Sequence, residues 1–148
     1  MTNPFARNVA VGALALFFLA GCGGAQKIES KPLPAGVNLS GDWWSPEYEN
    51  MKVVHKGGLV KGTFSYRTGG TFEGKLDGDV LLFEWVQPGD FDKARREIRG
   101  SGFLRVSQDG RTLQGRWGYD DDRMGGGVWT AEKLVREEPD YDVNEPVF

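Results

Sequence analysis

The chain is short of the residues on which many small domains and enzymes depend. It has one cysteine and one histidine in 148 residues. A lone cysteine cannot close a disulfide within the chain, so packing alone must hold the fold. The pair also rules out a zinc site of the usual His/Cys spacing. His55 has no acid–base partner in its neighbourhood of the sequence. Ser101 lies in Arg99-Gly100-Ser101-Gly102, which is not a nucleophile elbow. Basic and acidic residues are interspersed, with a formal net charge of -3, and no basic stripe marks a nucleic-acid surface. No apolar run reaches the roughly 20 residues of a membrane-spanning helix. Asp120-Asp121-Asp122 lacks the alternating spacing of a calcium loop, and it reads with Asp90 and Asp92 as solvated loop chemistry. With no nucleophile, base or metal set in view, neither an enzyme nor a cofactor is expected.

Glycine and aromatic rings, by contrast, are abundant: 22 Gly, five Trp and nine Phe. Glycine is at about twice its usual share of roughly 7%. Disordered chains are poor in aromatics, so this mixture predicts a folded domain of tight turns and large packed rings. From Leu39 onward, short runs of period two alternate with turn signals, the pattern of an all-β barrel or sandwich. The runs are 39–44, 51–56, 59–66, 71–76, 80–86, 97–106, 112–119 and 127–134. Gly57-Gly58, Gly69-Gly70, Asp77-Gly78 and Asp109-Gly110 mark turns between them. Residues 87–96 form the longest interior loop, in which 93–98 could make one helical turn; 120–126 form a second exposed loop. Short links predict antiparallel neighbours, and closing an eight-stranded up-and-down meander into a barrel removes its edges.

Six glycines precede a large apolar residue by two: Gly41/Trp43, Gly62/Phe64, Gly74/Leu76, Gly102/Leu104, Gly115/Trp117 and Gly127/Trp129. Period two puts both members on one face, and a small barrel needs small and large residues inside. Lys61, Glu73, Lys75, Arg99 and Arg105 fall on the outer faces, where a membrane-spanning barrel would need an apolar band. Trp43, Phe64, Trp85, Trp117, Tyr119 and Trp129 are the candidate site residues. They line a cavity at the barrel mouth for a small apolar ligand, or they fill the core of a narrow barrel. Filling is the expected outcome.

Ahead of the barrel lies a different kind of sequence. Arg7 is the only charge before an apolar run from Val9 to Ala20, which ends in Leu19-Ala20-Gly21-Cys22. This stretch resembles the signal and lipobox of bacterial lipoproteins. The resemblance implies cleavage before Cys22, diacylglycerol on its thiol and a further acyl group on the new amino terminus. Two or more chains suffice for stable anchoring. The absence of Asp at position 23, where Gly23 stands, favours the outer membrane under the enterobacterial sorting rule. The expected organisation is a signal over 1–21, a flexible tether over 22–38, a β-barrel over 39–135 and an acidic, disordered tail over 136–148.

Leu39-Ser40-Gly41-Asp42-Trp43-Trp44 and Leu59-Val60-Lys61-Gly62-Thr63-Phe64 resemble the opening strands of calycin barrels. Gly41-x-Trp43 is similar to the lipocalin first-strand motif, while the short strands and missing C-terminal helix look more like the avidin family. The likeness does not extend to a biotin site, since Phe64 lacks the hydroxyl that such a site carries on this strand. The resulting expectation is a soluble, calycin-like barrel on a lipid leash at the outer membrane, facing the periplasm or the cell surface. It would act as a binding or structural accessory of the cell envelope, with a protein partner there. Two alternatives are a carrier of a small apolar ligand and an inhibitor of a lytic enzyme or protease, inserting the 87–96 loop.

Overall fold

Inward apolar and outward polar side chains alternate through eight strands in the computed structural model, which describes residues 27–89 and 96–136. The strands are β1 (Gly41–Ser45), β2 (Glu49–Lys56), β3 (Leu59–Phe64), β4 (Gly70–Asp77), β5 (Val80–Gln87), β6 (Ile98–Val106), β7 (Thr112–Tyr119) and β8 (Gly127–Lys133). Each pairs antiparallel with the next, and β8 returns to β1 through Trp43↔Lys133 and Trp44↔Glu132. The expected closed, up-and-down barrel is therefore observed, with strand ends shifted by one or two residues. Ile98 opens β6 rather than closing a helical turn; residues 93–95 of that segment lie outside the described ones.

The two ends of the barrel differ because their links differ. Three glycine-bearing turns, Gly57-Gly58, Gly78-Asp79 and 107–111, gather at one end. Gly57, Gly78 and Gly110 adopt φ of 62°, 53° and 69°, a left-handed backbone that glycine takes without a Cβ penalty. Leu39 and Trp43, both 0% exposed, plug this end, and the Trp43 indole donates to the Leu39 carbonyl at 2.8 Å. The links 46–48, 65–69 and 120–126 gather at the other end, with the C-terminus of β5 and the N-terminus of β6, and this end is open.

Cross-strand register explains the glycines. Gly62 faces Phe72, Gly74 faces Phe83, Gly70 faces Phe64, and Gly100 faces both Trp85 and Tyr119. A Cβ on Gly62, Gly70 or Gly102 would run into the ring of Phe72, Phe64 or Phe83. The barrel is thus packed by pairing a large ring with a glycine on the neighbouring strand, which adds to the alternation along each strand.

Lys52, Lys61, Glu73, Lys75, Glu84, Arg99 and Arg116 stand exposed on the outer wall, and Lys61 and Glu73 pair at 2.9 Å. No continuous apolar band girdles the described strands. Ahead of β1, part of the segment assigned to the tether lies against the closed end. Leu33 and Val37 pack against the core. Asp79, 3% exposed, accepts from the Lys31 N–H at 2.7 Å, and its own N–H donates to the Lys31 carbonyl at 2.7 Å. Arg105 binds the Asp79 carboxylate at 2.7 Å and the Glu29 carbonyl at 2.9 Å. Val80, on the outward side of β5, is buried as well, which fits the continuous apolar run of that strand.

Candidate functional site: an aromatic cup

The open end holds a cavity of about 390 Å³. Phe64, Trp85, Trp117, Tyr119 and Trp129 line it, each carried on an inward position near the open end of its strand. Five of the six expected site residues therefore meet in one place. Trp43 does not: its inward position on β1 lies beside Leu39, so it belongs to the plug of the closed end. Phe64, Trp85 and Trp129 are buried in the core and at the same time form the floor and wall of the cup.

Seven further lining residues were not foreseen, Glu47, Tyr48, Tyr66, Arg67, Gln87, Ile98 and Gly126, and three of them shape the mouth. Tyr48 sits in the β1–β2 link, where no periodicity marks it. Its ring packs edge-on to Phe64, Tyr66 and Trp117 at 6.2, 5.7 and 6.2 Å and tilts over Trp129 at 4.4 Å. Tyr66 lies two residues past the end of β3, at the rim, with the Arg67 guanidinium 5.2 Å from its ring centroid. Glu47 is the third. Its carboxylate accepts from the Thr130 N–H at 3.1 Å and from the Thr130 hydroxyl at 2.9 Å. It continues the link to β8 where the β1–β8 pairing stops after Trp44, and so ties the Tyr48 link to that strand.

Electrostatics agree with these roles. Burial pushes the Glu47 carboxyl up, but the Thr130 hydroxyl and N–H outweigh it and hold the group below its usual range. Burial pushes the Tyr48 phenol up to about 12, with the nearby Trp117 indole opposing the shift. Tyr48 therefore stays protonated and donates to the Val128 carbonyl at 3.4 Å.

The rim is tied together before any ligand arrives. Thr68 Oγ1 donates to the Pro88 carbonyl at 2.7 Å, and Gln87 Nε2 donates to the Tyr66 carbonyl at 2.8 Å. Ser101 Oγ donates to the Asp120 carbonyl at 2.7 Å. Asp122 accepts from the Met124 and Gly125 N–H groups, which hold its carboxyl low, so it shapes its own loop. His55 accepts from the Leu39 N–H at 3.3 Å, near the plugged end and away from the cup.

The indoles separate into two kinds. Trp43 Nε1 has the Leu39 carbonyl, and Trp85 Nε1 donates to the Gly118 carbonyl at 3.2 Å. Trp117 Nε1 and Trp129 Nε1 are buried, and neither meets an acceptor in hydrogen-bonding geometry. Among the described residues no three His, Cys, Asp or Glu side chains converge as metal ligands. Cys22 lies outside the described residues, as do residues 90–95 of the long loop and 137–148 of the tail. Searches against protein-family models, curated proteins and solved structures return no match for this chain.

Proposed function

We propose that this protein is a ligand-binding barrel, held at the bacterial envelope by lipid on Cys22, and that the cup is its binding site. The observation that carries the reading is the ring-walled cavity of about 390 Å³. Clefts of roughly 300–1,000 Å³ that combine apolar walls with placed polar groups are how folds take small molecules, and this one sets Glu47, Arg67 and Gln87 among its rings. The pinned rim adds to this, since a preformed site loses less conformational freedom on binding. Relative to the sequence-based expectation of a binding or structural accessory, the geometry moves the weight toward the carrier. The calycin likeness and the outer-membrane address belong to this same proposal.

Acetylnaphthalene, a small aromatic probe, should quench tryptophan emission saturably at one molecule per chain. Ile98→Trp, which puts a bulky indole in place of an aliphatic side chain on the cup wall, should abolish the effect while circular dichroism stays unchanged. Unsaturable quenching, or equal quenching in the variant, would remove the cup as the site. Replacing Cys22 with Ala should release the protein from membranes; retention would sink the anchor.

A further inference from the structure

One acceptor in the cup wall is left open. Gln87, the last residue of β5, is 8% exposed and lines the cavity. Its Nε2 donates to the Tyr66 carbonyl at 2.8 Å, and this bond fixes how the amide is turned, nitrogen toward Tyr66 and oxygen away. Among the described residues none donates to Oε1, and protein does not seal that atom as it seals the Trp117 and Trp129 indole nitrogens. A ligand that fills the cup takes this oxygen out of solvent. Unless it returns a donor, the loss counts against binding.

The other polar lining groups do not supply that donor. Glu47, in the β1–β2 link, stands across the barrel from β5, and its carboxylate is itself an acceptor, held by Thr130 and Ser45. The Tyr48 hydroxyl is committed to the Val128 carbonyl, and Arg67 Nε to the Tyr66 hydroxyl. Glu47 and Arg67 bring one charge of each sign to the lining, which selects for neither a cation nor an anion.

Resting on the cup as a binding site, the geometry points to its ligand class: a compact aromatic molecule carrying a neutral hydrogen-bond donor, a hydroxyl or an amide N–H, that Gln87 Oε1 accepts. The aromatic body lies against Tyr48 and Trp85. A ligand that can only accept leaves Gln87 unmet.

The test uses two probes of nearly the same shape, naphthylethanol and acetylnaphthalene, substituted at the same ring position. The alcohol can donate and the ketone cannot. The Cys22→Ala chain, prepared with isotope-labelled glutamine, reports the Gln87 side-chain carbonyl by nuclear magnetic resonance, and Gln87→Met identifies its signal. The tighter-binding enantiomer of the alcohol should bind at least about fivefold more tightly than the ketone. It should move the Gln87 carbonyl signal downfield, and Gln87→Met should bind the two probes equally. Equal affinity in the unsubstituted cup, binding of the alcohol without movement of that signal, or a preference that survives Gln87→Met would overturn the donor-bearing class and leave the cup as an apolar site. Binding of neither probe would overturn the cup itself, and the ligand class with it.

Discussion

At the scale of single residues, glycine opposite a ring is the unit from which the barrel wall is made. Gly100 shows how little room is left. A Cβ there would meet the Gly118 carbonyl and lie 2.6 Å from Trp85 Nε1, disturbing the bond between those two groups. Gly100→Ala should therefore cost about 1–3 kcal/mol, as overpacking does, and should distort the cup beside Trp85. Gly57 is a useful contrast. Its φ of 62° favours glycine, but nothing lies within 4 Å of the added carbon. Gly57→Ala should cost about 1 kcal/mol of backbone strain and no more. Urea unfolding of the two variants measures the difference. If Gly100→Ala proved the milder change, the wall would be looser than its register implies.

The elements were largely legible in the sequence, because turn glycines and period two are local signals. Parity along a strand says whether a side chain points inward; it does not say at what height. This is why Trp43 was grouped with Trp129. Its height follows from the β1–β8 register, which sets it opposite Lys133 at the closed end of β8, and from the Leu39 carbonyl that takes its indole N–H, and neither is visible in the local pattern. Tyr48 was missed for a different reason. It is placed by a link with no period, after which Glu49 opens β2 at φ of 63°, and by a long-range clasp between Glu47 and Thr130. The glycine–ring pairing between strands was half visible: the sequence shows which residues alternate, and only the register shows which ring each glycine faces.

Two elements carry predictions that depend on pH. Glu47 is held below the usual carboxylate range in the folded chain, so its contribution is present above the unfolded value of roughly 4.3. It fades as pH falls through the lower folded value. Amide protection at Tyr48 and Glu49, taken relative to the intrinsic exchange rate at each pH, should fall on going from about pH 6 to about pH 3, and Glu47→Gln should remove most of that dependence. Asp79 works in the same direction. Burial raises its carboxyl, but the Lys31 N–H and Arg105 prevail and hold it low, so its clasp also weakens toward acid. Asp79→Asn should cost about 1.5–3 kcal/mol, the range for hydrogen bonds to a charged group. Hydrogen exchange should rise at 29–33 first; unchanged protection there would show that Leu33 and Val37 hold the segment unaided.

For the whole molecule, the clasp at the closed end decides which way the cup faces. Residues 29–33 are tied to the end opposite the cavity. With Cys22 lipidated as proposed, the stretch to Glu29 spans at most about 25 Å. The plugged end should therefore sit toward the bilayer and the mouth away from it. A fluorophore on Lys56→Cys should be quenched by brominated lipid more strongly than one on Arg123→Cys, in lipidated protein on vesicles. The reverse order would contradict this orientation. The claim on which everything else depends is that the cup takes a small molecule. Native mass spectrometry of the full chain, purified from the envelope membranes of its own host in mild detergent, tests it most directly. The prediction is one small molecule of fixed mass per chain, absent from Ile98→Trp. A chain that arrives bare, and that also takes up no added acetylnaphthalene, would contradict it and leave the rings as core.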